Sequence, residues 1–326
     1  MILDERIVMN TEKVVAITVT YNRSQTLKRC LNALLNQDRK PDYIIVVDNC
    51  SNSKEKELIR SFTENNNIIT VLWLKENSGG AGGFESGMRK ALECYKPDWY
   101  WIMDDDAYPR KDCLKLMLEK SVTLENVGCM APAIFGIDLN QYQLYHHKRL
   151  SPLLLEDIKI TDSYDALKPV TLLEANAFVG PLVSKSAVEA VGIADGSLFI
   201  YGDDTEYTYR LSRVKNIFLV KDAIIEHQDP PIANNYMQPS GWWKEYYRIR
   251  NRFFLYREFH KNPAKRFLSQ FCMTGITIKL MLAAIVKPKY RSNRKLRLWI
   301  LARALADGIL NKRGCQVDPV NYIKML

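Results

Sequence analysis

Over the first third of this 326-residue chain, short apolar runs alternate regularly with amphipathic stretches. Val14 to Thr20 is continuously β-branched and apolar, the mark of a strand buried on both faces. Ser24 stands where it can cap a helix over Leu27, Cys30, Leu31, Leu34 and Leu35. Tyr43 to Val47 predicts a second buried strand that stops at Asp48, followed by a polar helix from Lys54 to Thr63 and a third strand from Ile68 to Leu74. This alternation predicts a parallel sheet with helical crossovers. Farther along, a strand is expected at Val127 to Phe135, and Gly136 to Lys168 reads as a polar surface insertion. Asn176 to Val183 is apolar again, Ser184 opens a short helix ending at Gly192, and Asp203 to Arg213 is helical. Phe218 to Val220 and Ala223 to Glu226 predict two short strands, the second delivering His227 to the loop Gln228-Asp229-Pro230-Pro231.

Two stretches break this pattern in ways that suggest chemistry. Trp99 to Met103 is aromatic and apolar, then ends in Asp104, Asp105 and Asp106, with Pro109 placed to start the next helix. Adjacent carboxylates at the carboxyl end of a buried strand sit on the rim where open α/β sheets bind ligands. A divalent cation relieves their repulsion, and along an extended backbone Asp104 and Asp106 share one face. Asp105 faces the other, toward a ribose or the scaffold. A solvated acidic turn at a helix start is the plain alternative. The second stretch, Asn77 to Phe84, carries Gly79, Gly80, Gly82 and Gly83. Its register fits neither G-x-G-x-x-G nor a P-loop, and Thr20 to Ser24 has no glycine, which excludes an ordinary dinucleotide-binding turn. Close backbone approach to a ligand and a helix starting near Gly83 are expected, or else a turn that packs a helix on the sheet. Asp203 and Glu206 form a capping pattern that leaves Asp204 over, a first-turn carboxylate able to act as a general base.

Charge sets the last third apart. Gly241 to Arg313 holds 18 Lys and Arg against Glu245, Glu258 and Asp307, a net of +15, whereas the residues before it are net −6. A boundary is expected there, with residues 1–240 forming the α/β domain and 241–326 a basic helical region. Phe267 to Val286 is largely apolar but carries Lys279, which predicts a buried or interfacial helix. Basic amphipathic helices suit an anionic membrane surface, and helices covering the sheet are the equal alternative. Seven scattered cysteines and no visible leader predict a reduced, cytoplasmic chain.

Taken in order, Thr20-Tyr21-Asn22-Arg23, Val46-Val47-Asp48-Asn49, Asn77-x-x-Gly80-Ala81-Gly82-Gly83, Asp104-Asp105-Asp106 and Asp203-Asp204-x-Glu206-Tyr207 resemble the inverting glycosyltransferases of family 2. These have the α/β GT-A nucleotide-diphospho-sugar fold, and the resemblance covers about residues 14–227. The glycine loop with Phe84 is most similar to galactofuranosyltransferases of bacterial surface glycans. The resemblance implies a donor site at Thr20, Tyr21, Arg23, Asp48, Asn77, Gly80, Gly82, Asp104 and Asp105. It also implies Mn²⁺ or Mg²⁺ on Asp104, Asp106 and His227, and Asp204 as catalytic base. UDP-galactofuranose is the implied donor and a glycan or lipid-linked glycan the acceptor, with the enzyme peripheral on the inner face of the plasma membrane. A dTDP-rhamnose-dependent rhamnosyltransferase shares most of these motifs. From another class, a nucleic-acid-binding protein would use the basic region as its footprint, but its long apolar runs argue against that and no nucleic-acid partner is expected.

Overall fold

The computed structural model describes residues 12–228 and 238–325, so Asp229, Pro230 and Pro231 lie outside the described residues. The chain divides into two compact units. The first takes residues up to 149, 158–196 and 204–229, and the second 150–157, 197–203 and 230 onward.

The first unit is built on one mixed sheet. Its strands are β1 (Val14–Thr20), β2 (Tyr43–Asp48), β3 (Ile69–Trp73), β4 (Trp99–Asp104), β5 (Ala107–Pro109) and β6 (Val127–Phe135), then β9 (Val170–Leu173), β11 (Val179–Ser184) and β12 (Asn216–His227). The order is β3-β2-β1-β4-β11-β6-β12-β5, with β9 also on β12. Between β6 and β11, β7 (His147–Leu150), β8 (Asp157–Ile158) and β10 (Ala175–Asn176) form a separate ribbon. The pairs β3-β2, β2-β1 and β1-β4 are parallel. Alternate residues of each strand enter two different cores: Val14, Ala16, Trp101 and Met103 on one face, Val15, Ile17, Tyr100 and Ile102 on the other. Helices α1 (Ser24–Leu35), α2 (Ser53–Thr63) and α4 (Cys113–Ser121) cover the first face. Helices α3 (Gly79–Cys94), α5 (Lys185–Val191) and α6 (Asp203–Ser212) cover the second. This is the doubly covered α/β sheet that the apolar runs predict.

Several local expectations fail for identifiable reasons. Ser24 is the first residue of α1 rather than its cap, and its N–H donates to Glu55 Oε2 at 2.8 Å. Pro109 ends β5, and the helix starts only at Cys113. β12 is one strand whose register against β6 shifts between Val220 and Ile224, where two short strands were expected. Helix α3 begins at Gly79, not near Gly83. Gly79 has a left-handed φ of 72°, which turns the chain into the helix. A Cβ on Gly83 would stand 2.5 Å from Val19 Cγ1, and one on Gly87 2.5 Å from Ile17 Cγ2, so both glycines let α3 settle onto β1.

In the second unit, helices α7 (Trp242–Phe259), α8 (Pro263–Val286), α9 (Arg294–Ile309) and α10 (Pro319–Ile323) gather around an aromatic core. Trp242, Tyr246, Tyr247, Phe253, Ile300, Ala304 and Tyr322 are buried in it. Part of the basic charge lies inside. Arg250 is fully buried, 4.6 Å from the Tyr247 ring centroid, and donates to the carbonyls of Leu198 at 2.8 Å and Gly314 at 2.6 Å. Arg297 is buried against Glu245. Asp307 receives the Tyr246 hydroxyl at 2.8 Å and Arg303 at 2.6 Å, which together hold its carboxyl below the usual range despite burial. Charges committed in this way are not a phosphate-binding face.

Candidate active site

β1, β2 and β4 end side by side, since Thr20 pairs with Asp48 and Val19 with Asp104 in the parallel ladders. The strand order turns here from β2 on one side of β1 to β4 on the other, the crevice in which open α/β sheets bind ligands. The chain then turns at Asp105 and Asp106 into β5, which pairs antiparallel to β12 with Ala107 opposite His227. Asp104, Asp106 and His227 each offer a ligand atom, all within 4.8 Å of one another. Two carboxylates and an imidazole at that separation suit Mn²⁺, for which nitrogen is a better ligand than it is for Mg²⁺.

His227 is held from behind. Its Nδ1 lies 3.1 Å from Gln143 Oε1, while Gln143 Nε2 donates to the His227 carbonyl at 3.4 Å. With the amide nitrogen facing a carbonyl, its oxygen faces the ring and accepts the Nδ1 proton. Nε2 points at Asp106 Oδ1, 3.3 Å away. Burial raises the Asp106 carboxyl, but the hydrogen bond and charge of His227, with Arg23, outweigh it and hold it below the usual range.

Arg23 spans both neighbouring acids, at 2.9 Å from Asp105 Oδ1 and 2.6 Å from Asp106 Oδ2. Asp105 is buried and also accepts from Thr20 Oγ1 at 2.7 Å. Burial pushes its carboxyl up to about 7 against the pull of Arg23. Asp105 is thereby tied to the Thr20–Arg23 turn. Tyr21 is exposed beside this turn.

Asp48 is fully buried at the end of β2. Its Oδ2 accepts from the Ser51 N–H at 3.2 Å, but Oδ1 is buried with no hydrogen-bond partner among the described residues. A buried carboxylate oxygen without a donor is costly unless something supplies one. Asn77 Oδ1 accepts from Asn49 Nδ2 at 3.1 Å and from the Gly79 N–H at 2.9 Å, which ties the glycine turn to the end of β2. Among the described residues a Cβ on Gly80 would meet nothing within 4 Å, whereas one on Gly82 would meet Ser78.

Asp204 stands in the first turn of α6, partly exposed, with Oδ1 accepting from the Thr205 N–H at 2.6 Å. Lys148 Nζ is 3.6 Å from its Oδ2 and 2.7 Å from Thr205 Oγ1. Glu206 pairs with Arg210 at 2.7 Å. Gln143 and Lys148 come from the segment read as a surface insertion. No periodicity marks them there, and only the fold brings them to the acids.

A model of glycosyl transferase family 2 matches residues 15–175. The galactofuranosyltransferase GlfT1 of Mycolicibacterium smegmatis is 34% identical over 206 residues, 63% of this chain and 67% of that one. The chain belongs to glycosyl transferase family 2. The dTDP-rhamnosyl transferase RfbF of Shigella flexneri is 28% identical over 251 residues, 75% of this chain and 80% of the relative. Among solved structures, the mannosyltransferase PcManGT of Pyrobaculum calidifontis in complex with GDP-Man and Mn²⁺ superimposes with a TM-score of 0.56 at 15% identity, covering 93% of this chain and 89% of that one. The fold of this family 2 glycosyltransferase is therefore GT-A. The alignments reach only about two thirds of the length of the mycobacterial GlfT1 relatives.

Proposed function

We propose that this glycosyltransferase moves galactofuranose from UDP-galactofuranose to a growing cell-surface glycan, free or lipid-linked, with inversion at the anomeric carbon. It would work in the cytoplasm at the inner face of the plasma membrane. The observation that supports a pyrimidine-nucleotide donor is the unpartnered buried oxygen of Asp48, an acceptor for the N3 hydrogen that uracil and thymine share. Thr20, Tyr21 and Arg23, in the turn after β1, would line the base and its phosphates, and Asn77 shapes the turn that presents Gly80. Asp104, Asp106 and His227 would hold Mn²⁺ or Mg²⁺, whose chemistry there is neutralisation of the departing diphosphate. Asp204 takes the acceptor hydroxyl proton as that oxygen attacks. Its Thr205 contact fixes Oδ1, and Lys148 keeps Oδ2 oriented. The nucleotide leaves as an anion, so one carboxylate base suffices.

The preference for galactofuranose is supported by the mycobacterial relatives more than by the glycine loop. Gly83 packs against Val19 and Gly82 against Ser78, and of these three Gly80 is the one with room beside it for an exocyclic arm. The Shigella relative favours a second reading, dTDP-rhamnose as donor. Purified enzyme is tested for nucleotide release from UDP-galactofuranose, UDP-galactopyranose and dTDP-rhamnose, each with Mn²⁺, Mg²⁺ and EDTA. Fast metal-dependent release from UDP-galactofuranose alone is expected. Equal use of the pyranose overturns the donor, and full activity in EDTA overturns the metal site.

A further inference from the structure

Helix α8 is turned the opposite way from an ordinary surface helix. Its buried residues are small, Ser269, Thr277 and Ala284, and Ser269 Oγ lies 2.8 Å from the Leu153 carbonyl. Its large apolar residues face out. Phe267 is 68% exposed and Phe271 66%, and Ile278, Leu282 and Ile285 are exposed too. At about 100° per residue these five fall within about 60° of one another, forming one stripe along the helix. Between α8 and α9 the stripe widens into an open apolar groove of about 480 Å³, lined by Ile278, Leu282, Ile285, Leu298 and Trp299. Single exposed apolar residues need no explanation, but a continuous stripe with an adjoining groove does.

The surrounding charge says what covers it. From Phe259 to Ala306 the chain holds eleven Lys and Arg and no Asp or Glu. Lys265, Lys279, Lys287, Lys289 and Lys295 are exposed. A protein partner buried on so apolar a stripe gains little from that many unopposed cations, whereas an anionic bilayer satisfies both parts at once. Acyl chains take the aromatic and aliphatic side chains, and headgroups take the lysines, whose long stems reach up from the flank.

We propose that the outward face of α8, with the α8–α9 groove, docks this enzyme in the plane of an anionic membrane. The helix has 24 residues and is apolar enough to span a bilayer. One side, however, is already packed against α7 and α9. Lys265, Arg266 and Lys279 also stand within it, so it lies along the surface. The proposal rests on the reading of a membrane-borne acceptor, yet the two fail separately, because nucleotide release can be assayed without lipid.

The test is flotation of the full chain with phosphatidylcholine vesicles and with vesicles containing one quarter phosphatidylglycerol, at low and high salt. Binding to the anionic vesicles is expected, falling steeply with salt. Reversal of Lys279 and Lys287 to Glu should lower it by about fivefold or more for each charge. Phe267→Glu with Phe271→Glu and Leu282→Glu should lower it at least about tenfold, since each loses a buried apolar side chain, while nucleotide release stays at the wild-type rate. Brominated acyl chains should quench tryptophan fluorescence in the wild type and much less in Trp299→Phe, a readout independent of the charged variants. Equal flotation by the triple variant overturns the proposal, as does absence of quenching. So does a wild-type dimer that ignores vesicles and becomes monomeric in the triple variant, because the face would then join two copies of the chain.

Discussion

At the scale of single residues, the site separates groups that fold the chain from groups left available. Asp105 is bonded to Thr20 and Arg23 on the interior side of the turn, whereas one oxygen of Asp48 is buried without a donor. Asp48→Ala should weaken UDP binding about ten- to a hundredfold, the worth of one hydrogen bond to a charged group. Titration calorimetry checks this, with a thermal melt to show that the variant is folded. Asp204 calls for the opposite signature. Asp204→Asn keeps the Thr205 contact geometry, so donor affinity should hold while kcat falls by about 10²–10⁴. A parallel collapse of donor binding would make Asp204 a donor residue instead of the base.

At the scale of elements, the decisive contact is α3 on β1. Both glycines that face the strand meet β-branched side chains, which have little rotamer freedom to yield. Gly83→Ala should therefore destabilise the protein by about 1–3 kcal/mol through overpacking. Val19→Ala in the same chain should recover much of that loss, a coupling that a double-mutant cycle in urea reads directly. Gly80→Ala is the control. Its Cβ meets nothing within 4 Å, so the helix should gain about 0.5–1 kcal/mol. Were both substitutions equally harmful, close packing would not be the reason for the glycines.

At the scale of the whole molecule, buried histidines tie folding to pH. His147 is buried, donates through Nδ1 to Asn176 Oδ1 at 2.8 Å, and has a buried Nε2 with no partner among the described residues. A proton on Nε2 would have no acceptor, and burial above all lowers the imidazole to about 4, with Lys148 adding to it and Asn176 opposing. The folded value lies below the unfolded one of about 6.5, so the unfolded chain binds the proton first. Stability from this group is complete above about pH 6.5 and is lost as pH falls toward about 4, by about 3 kcal/mol in all. Burial lowers His146 as well, in the same sense. Urea unfolding at stepped pH should show the loss, and His147→Gln should flatten the slope relative to the wild type.

The extent of each level that could be read without coordinates follows from how local its physics is. Val14 to Thr20 and Val127 to Phe135 are strands with the bounds their apolar runs predict, because a strand buried on both faces needs an unbroken run and nothing else. The acids at the ends of β2 and β4 were legible for the same reason: a charge can follow such a run only at the rim. Helix starts were less legible, as at Ser24, Pro109 and Gly79, since caps depend on where the chain arrives from. The outward face of α8 was not legible at all, because an apolar helix has the same composition whether its stripe is covered or bare. Gln143 behind His227 and Lys148 beside Asp204 come from a polar segment without period. The sequence alone determined which strands are buried and which carboxylates end them. Only the tertiary structure decided which glycines pack and which are open, what holds the histidine, and which side of α8 is left bare, because those depend on contacts between residues far apart in the chain.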